Sequence, residues 1–87
     1  MRYTLKKLDS MAKEMELGSR FELLLYWQEC GYTDMENLFL KEMSKKDVVA
    51  VMYECACMLR HVATYGYNEN SLWAIYNDAM NALLKRI

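Results

Sequence analysis

Three cysteines and a single histidine are the side chains of this 87-residue chain best suited to hold a metal or act as nucleophiles. Cys55-x-Cys57 has the outline of a redox or metal pair. On a helix, however, residues two apart point in nearly opposite directions, so these thiols cannot share one ion without breaking the helix. Cys57 and His61 lie one turn apart on one face, yet a structural zinc site takes four ligands, and Cys30 with an acid would have to complete it from elsewhere in the chain. Buried cysteine usually packs as a small apolar residue, and that role is expected here. His61 would need a nucleophile, an orienting group and a pocket to act as a general base, and no serine, acid or cysteine stands in a recognisable motif with it. A glycine-rich phosphate loop, a metalloprotease helix and a nucleophile elbow are all missing from the sequence. The pattern predicts no catalytic residue, no metal ligand and no cofactor.

The elements that must position these side chains can be read from helix punctuation. The first predicted helix covers about Thr4–Leu17, with Leu5, Leu8, Ala12 and Met15 on one stripe. Gly18 is expected to take the left-handed conformation that stops it. Ser19 and Glu22 have capping-box spacing and open a second helix, Phe21–Cys30, which Gly31 ends. Its apolar residues wrap most of the way round, so more than one face needs a partner. Thr33 and Glu36 repeat the box ahead of a short third helix, about Asp34–Met43, with Met35, Leu38, Phe39 and Met43 inward. Ser44 and Asp47 start the fourth, about Lys45–Tyr65, with Val48, Met52, Cys55, Leu59 and Val62 on its main stripe and Gly66 at its end. Ser71 is expected to cap the last, about Leu72–Lys85, with Leu72, Ile75, Tyr76, Ala79, Met80 and Leu83 inward. The fold expected is all-α: a single domain over 1–87, forming a compact irregular bundle of four to five helices around a central helix 45–65.

Composition narrows the functions further. The apolar fraction of 54% exceeds the globular average of about 45–50%, and so small a chain has little interior to hold the excess. Some of these side chains are therefore expected on the surface as a contact area, which also admits a homodimer. Three unpaired cysteines without framework spacing, and no signal sequence at the N-terminus, suit a reducing cytoplasm. The longest apolar run, Leu23–Trp27, is too short to span a bilayer. The net charge of −1 gives no basic footprint for nucleic acid. Phe21 to Ser44 holds five acids against one base, Lys41. A helix-turn-helix built from the third and fourth helices would present Val48, Val49 and Val51 where base-reading polar groups belong. Direct binding to duplex DNA is not expected. The acids, about one per turn, are expected on solvated faces.

The aromatic residues point most directly to function. Two tryptophans and seven tyrosines are more than this core can enclose, and Trp and Tyr are the types enriched at binding hot spots. On the fourth helix, Tyr53, Arg60 and His61 lie opposite the main apolar stripe. Trp73 lies beside the inward set of the last helix, and Tyr65 and Tyr67 flank the turn between the two. These six residues are the candidate surface for a protein partner.

The order of punctuation resembles that of small helical phage tail assembly chaperones of Gram-positive bacteria. It runs through Glu16-Leu17-Gly18 closing an opening amphipathic helix. A serine-capped helix with Asp47-Val48-Val49 follows and continues to Arg60-His61. Gly66-Tyr67-Asn68 then leads into a final helix carrying Ile75-Tyr76-Asn77-Asp78. The resemblance implies a non-enzymatic, chaperone-like adaptor in the host cytoplasm that binds a segment of a structural protein. This chain differs in its extra aromatics, in lacking an acidic C-terminal tail and in a longer charged connection between the second and fourth helices. The alternative is a small phage inhibitor of a host defence complex, of the anti-CRISPR type, which acts by blocking a surface.

Overall fold

The computed structural model describes residues 2–87 and contains, among them, six helices and no strand. They are α1 (Leu5–Glu14), α2 (Arg20–Glu29), α3 (Thr33–Glu42), α4 (Lys45–Arg60), α5 (Val62–Tyr65) and α6 (Glu69–Leu84). The all-α bundle expected from the sequence is what forms. α4 and α6, joined by α5 and a short turn, pack side by side and antiparallel. α6 also meets α2 and α3, and α1 packs on α2. The predicted helix 45–65 is two elements: it breaks at His61, whose backbone leaves helical geometry at φ −127° and ψ 35°. The carbonyl of His61 then accepts from the amides of Thr64 and Tyr65 to start α5. The most enclosed element is α2, in which Phe21, Leu23, Leu24, Leu25 and Trp27 are all buried, as its all-round apolar pattern requires. Val48, Val51 and Cys55 of α4 and Leu72, Ile75 and Ala79 of α6 complete the core between the long pair.

Several caps differ from the sequence expectation. Glu16, not Gly18, takes the left-handed position after α1, with φ 61°, and the amide of Leu17 reaches the carbonyl of Ala12. Gly18 serves close approach instead. Its amide donates to Glu22 Oε2 at 2.6 Å, and a Cβ there would stand 3.0 Å from that oxygen. Ser19 accepts from the Glu22 amide as predicted, but the return contact of Glu22 goes to Gly18. Tyr32 rather than Thr33 precedes α3, without a side-chain cap. Asn68 rather than Ser71 caps α6, accepting from the amides of Asn70 and Ser71. Within α3, Leu40 is buried in place of Leu38, which is exposed, and on α6 Met80 faces out.

Three polar contacts tie the helices together. Arg20 of α2 holds Asp9 at 2.7 Å and Glu54 of α4 at 3.2 Å. Asp47, in the first turn of α4, accepts from the Leu5 amide at the start of α1. Arg86, just past α6, donates to the carbonyls of Leu40, Lys41 and Met43 at the C-terminal end of α3. This positive charge, placed where it would complement the dipole of its own helix, satisfies the free carbonyls of another.

Candidate functional site: the outer face of the α4–α6 pair

On α4, the residues opposite Val48, Val51 and Cys55 recur at three- and four-residue spacing: Lys46, Val49, Tyr53, Ala56 and Arg60. Each stands on the outer surface because α4 buries its other side against the core. On α6, Trp73, Met80 and Leu84 form the exposed stripe next to it. Where the stripes meet, Ala56, Leu59, Arg60, Trp73 and Tyr76 line a recess of about 300 Å³. Its aromatic wall is fixed by an edge-to-face contact between Trp73 and Tyr76, with ring centroids 5.7 Å apart. Such a pair is rigid and costs little entropy to order further.

Of the six predicted surface residues, Arg60 and Trp73 share this recess. Trp73 is 46% exposed and Tyr53, on the same stripe of α4, is 71% exposed. His61 is exposed where α4 breaks, and Tyr65 is exposed on α5. Tyr67 is only half-buried surface. Its ring stacks on Tyr65 at 5.9 Å, with the planes 2° apart, and its hydroxyl donates to Glu22 Oε1 at 3.5 Å. Burial, and then the Glu22 carboxylate, raise the Tyr67 phenol above the usual tyrosine range. Tyr65 and Tyr67 thus form a separate platform at the α5 end of the face. Trp27, counted among the aromatics in excess of the core, is buried on Phe39.

The sequence missed part of this surface. Val49 is exposed and large, and Met80, read as inward, is outward. The signal for Val49 was present, since it lies four residues before Tyr53 on the outer stripe. Tyr26 and Tyr32 form a second exposed stack, at 6.0 Å, at the far end of α2.

The cysteines and histidine do not converge. Cys30 is exposed, Cys57 is half-buried and Cys55 is buried, its thiol pushed up to about 12, chiefly by burial. Among the described residues, no three His, Cys, Asp or Glu side chains are placed to hold a metal ion.

One acid departs from the expected solvated position. Glu36, read as a capping partner, is fully enclosed at 0% exposure, and as a carboxylate neither of its oxygens accepts a hydrogen bond. Burial, then a hydrogen bond to the Asp78 carboxylate of α6 and the repulsion of its charge, raise it to about 9; the protonated carboxyl is the donor that lets the two acids stand side by side. Asp78 also lines a polar cleft of about 780 Å³ between α3 and α6, with Asn37, Lys41, Asn81, Lys85 and Arg86 on its walls.

No family model matches the chain, and comparison with curated proteins and with solved structures finds no match. No helix of the described residues is long and apolar enough to cross a membrane.

Proposed function

We propose that the chain is a non-enzymatic protein–protein interaction module, a chaperone-like adaptor of phage or mobile-element origin. In this role it holds an apolar segment of a structural protein on its α4–α6 face in the host cytoplasm. The observation that carries this is the line of exposed Tyr53, Trp73, Met80 and Leu84 along the two long helices, with Trp73 and Arg60 lining a recess between them. Large apolar side chains held rigid in water on two long helices gain most when a partner removes them from it. A second role, blocking a surface of a host defence complex, draws on the stacked Tyr65–Tyr67 platform beside Arg60 and His61, which could plug a concave site. The two differ in the partner: a virion structural protein for the first, a defence complex for the second.

The experiment is a quantitative capture of partners from infected-host extract by the wild-type chain, Trp73→Ala and Arg60→Ala. An anchor residue typically contributes about 2 kcal/mol, roughly thirtyfold in affinity, while an exposed side chain leaves the melting temperature within a few degrees. A specific partner lost from both variants supports the proposal. A partner retained by both places binding on another face.

A further inference from the structure

We infer that the segment seated on the α4–α6 face is an amphipathic helix of about four turns with acidic residues at its ends. The inference rests on the docking role proposed above and names the chemistry of its partner. The outer stripe of α4 runs from Lys46 to Arg60, fourteen residue steps or about 21 Å at 1.5 Å per residue. It lies alongside Trp73, Met80 and Leu84 of α6. Two antiparallel helices leave a furrow along their axes, and a third helix laid in it packs by the same ridge-and-groove interlock that holds the first two. An extended strand would have nothing to pair with. The backbone groups of α4 and α6 are used within their helices, and no strand edge exists among the described residues.

Charge selects the partner further. The two charged residues on the α4 stripe, Lys46 and Arg60, are both cations, one at each end of the apolar stretch. Lys45 adds to the first end and exposed His61 stands at the second. The acids of the two helices are mostly engaged elsewhere. Asp47 accepts from the Leu5 amide, Glu54 pairs with Arg20, and Asp78 faces Glu36. Glu69, exposed in the first turn of α6 four residues before Trp73, is, among the described residues, the one acid left free on this face. The face is thus apolar in its middle and mainly cationic at its ends, the complement of an apolar helix with acidic flanks.

The same pattern disfavours a second copy of this chain. An antiparallel two-fold pairing sets Lys46 of one copy against Arg60 of the other, and a parallel one sets each cation against itself. The area is also modest. Val49, Tyr53, Trp73, Met80 and Leu84 are the apolar part of the face and expose on the order of 500 Å² together, so even with the flanking cations the face stays near the roughly 800 Å² per partner of a standard interface and well short of obligate dimers. That suits a transient complex with a short segment.

The probe is a synthetic helical peptide of about 18 residues, with leucines at three- and four-residue spacing and two glutamates at each end. A control peptide keeps the leucines and carries lysines at the ends. Anisotropy of the labelled peptides is followed with the wild-type chain, with Trp73→Ala, and with the double variant Lys46→Glu/Arg60→Glu, each checked by its melting curve. The glutamate peptide is expected to bind the wild type at least about tenfold more tightly than the control at low salt. The preference should shrink near 0.5 M salt, where screening is strong. It should reverse in the double variant, and Trp73→Ala should weaken binding of both peptides. Equal binding of the two peptides, lost in Trp73→Ala, would overturn the acidic flanks and leave the docking role standing. Binding of neither peptide, or binding indifferent to Trp73, would overturn both. A wild-type chain that dimerises at micromolar concentration through Trp73 would replace the peptide partner with a second copy and sink the inference.

Discussion

Replacing Glu36 with glutamine removes one ionisation from the middle of the bundle while keeping the side chain's shape. Folded, the wild-type carboxyl is raised to about 9; unfolded, it titrates at the ordinary glutamate value, about 4.5. The folded state therefore binds the extra proton between these limits. Stability is greatest below the unfolded pKa and declines as pH rises toward the folded one, at roughly 1.4 kcal/mol per pH unit. At about pH 7.5 the accumulated loss is on the order of 4 kcal/mol; at about pH 5.5 it is only about 1. Glutamine at position 36 suffers none of it. Its amide can still donate to Asp78, but the enclosed site offers the rest of the amide no partner, which costs about 1–3 kcal/mol, and that cost does not follow the Glu36 titration. The measurement is the difference in urea-unfolding free energy between Glu36→Gln and wild type, followed by circular dichroism from about pH 5 to 8.5. Comparing the two proteins at each pH cancels the titration of the groups that do not interact with Glu36, leaving that of Glu36 together with its neighbour Asp78. The difference should shift in favour of the variant by about 3 kcal/mol between pH 5.5 and 7.5. A difference that stays flat across that range would show that Glu36 titrates normally and that its enclosure is wrong.

Three further outcomes follow from named contacts. Glu16→Gly should stabilise the fold by about 1 kcal/mol, because Glu16 holds a left-handed backbone at φ 61° that glycine adopts without strain; an unchanged or lower urea midpoint would refute this. Arg86→Ala should cost about 2 kcal/mol and lower the melting temperature by on the order of 10 °C, since three α3 carbonyls lose a charged donor; a shift of under a degree or two would mean that water replaces it freely. Thiol titration with an aromatic disulfide should modify Cys30 first and Cys57 slowly, leaving Cys55 untouched until the chain unfolds; early modification of Cys55 would contradict its burial.

Helix existence was legible because it is written locally. Ser19, Ser44 and the glycines at 31 and 66 each mark a boundary by their own chemistry, and the apolar spacing of α1, α4 and α6 gives their inward faces. The positions that escaped are those decided by a neighbour distant in sequence. Nothing within α3 says that Glu36 will meet Asp78 forty-two residues later, so an acid in a capping position reads as solvated. Gly18 looks like a helix stop until the Glu22 carboxylate is seen against it. The break at His61 has no proline or glycine behind it; Val62 keeps its place against the core while the axis turns. For the candidate surface, the residue types gave Tyr53, Arg60 and Trp73 correctly as exposed. They could not show that Arg60 and Trp73 share a recess, because that depends on how far α4 and α6 are rotated against each other. The outward set of Met80 depends on the same rotation.

The Arg86 clamp has a consequence for the order in which the protein is made. Chains leave the ribosome from the first residue onward, at about 5–20 residues per second. Here the helix that α2, α3 and α4 all lean on is α6, and the side chain that closes the open end of α3 follows it in the sequence. The early helices therefore emerge with their apolar sides uncovered, among them nearly the whole circumference of α2. They must wait several seconds for the last segment before the bundle can shut. During that interval the nascent chain is itself a candidate for the care of the cell's own folding helpers.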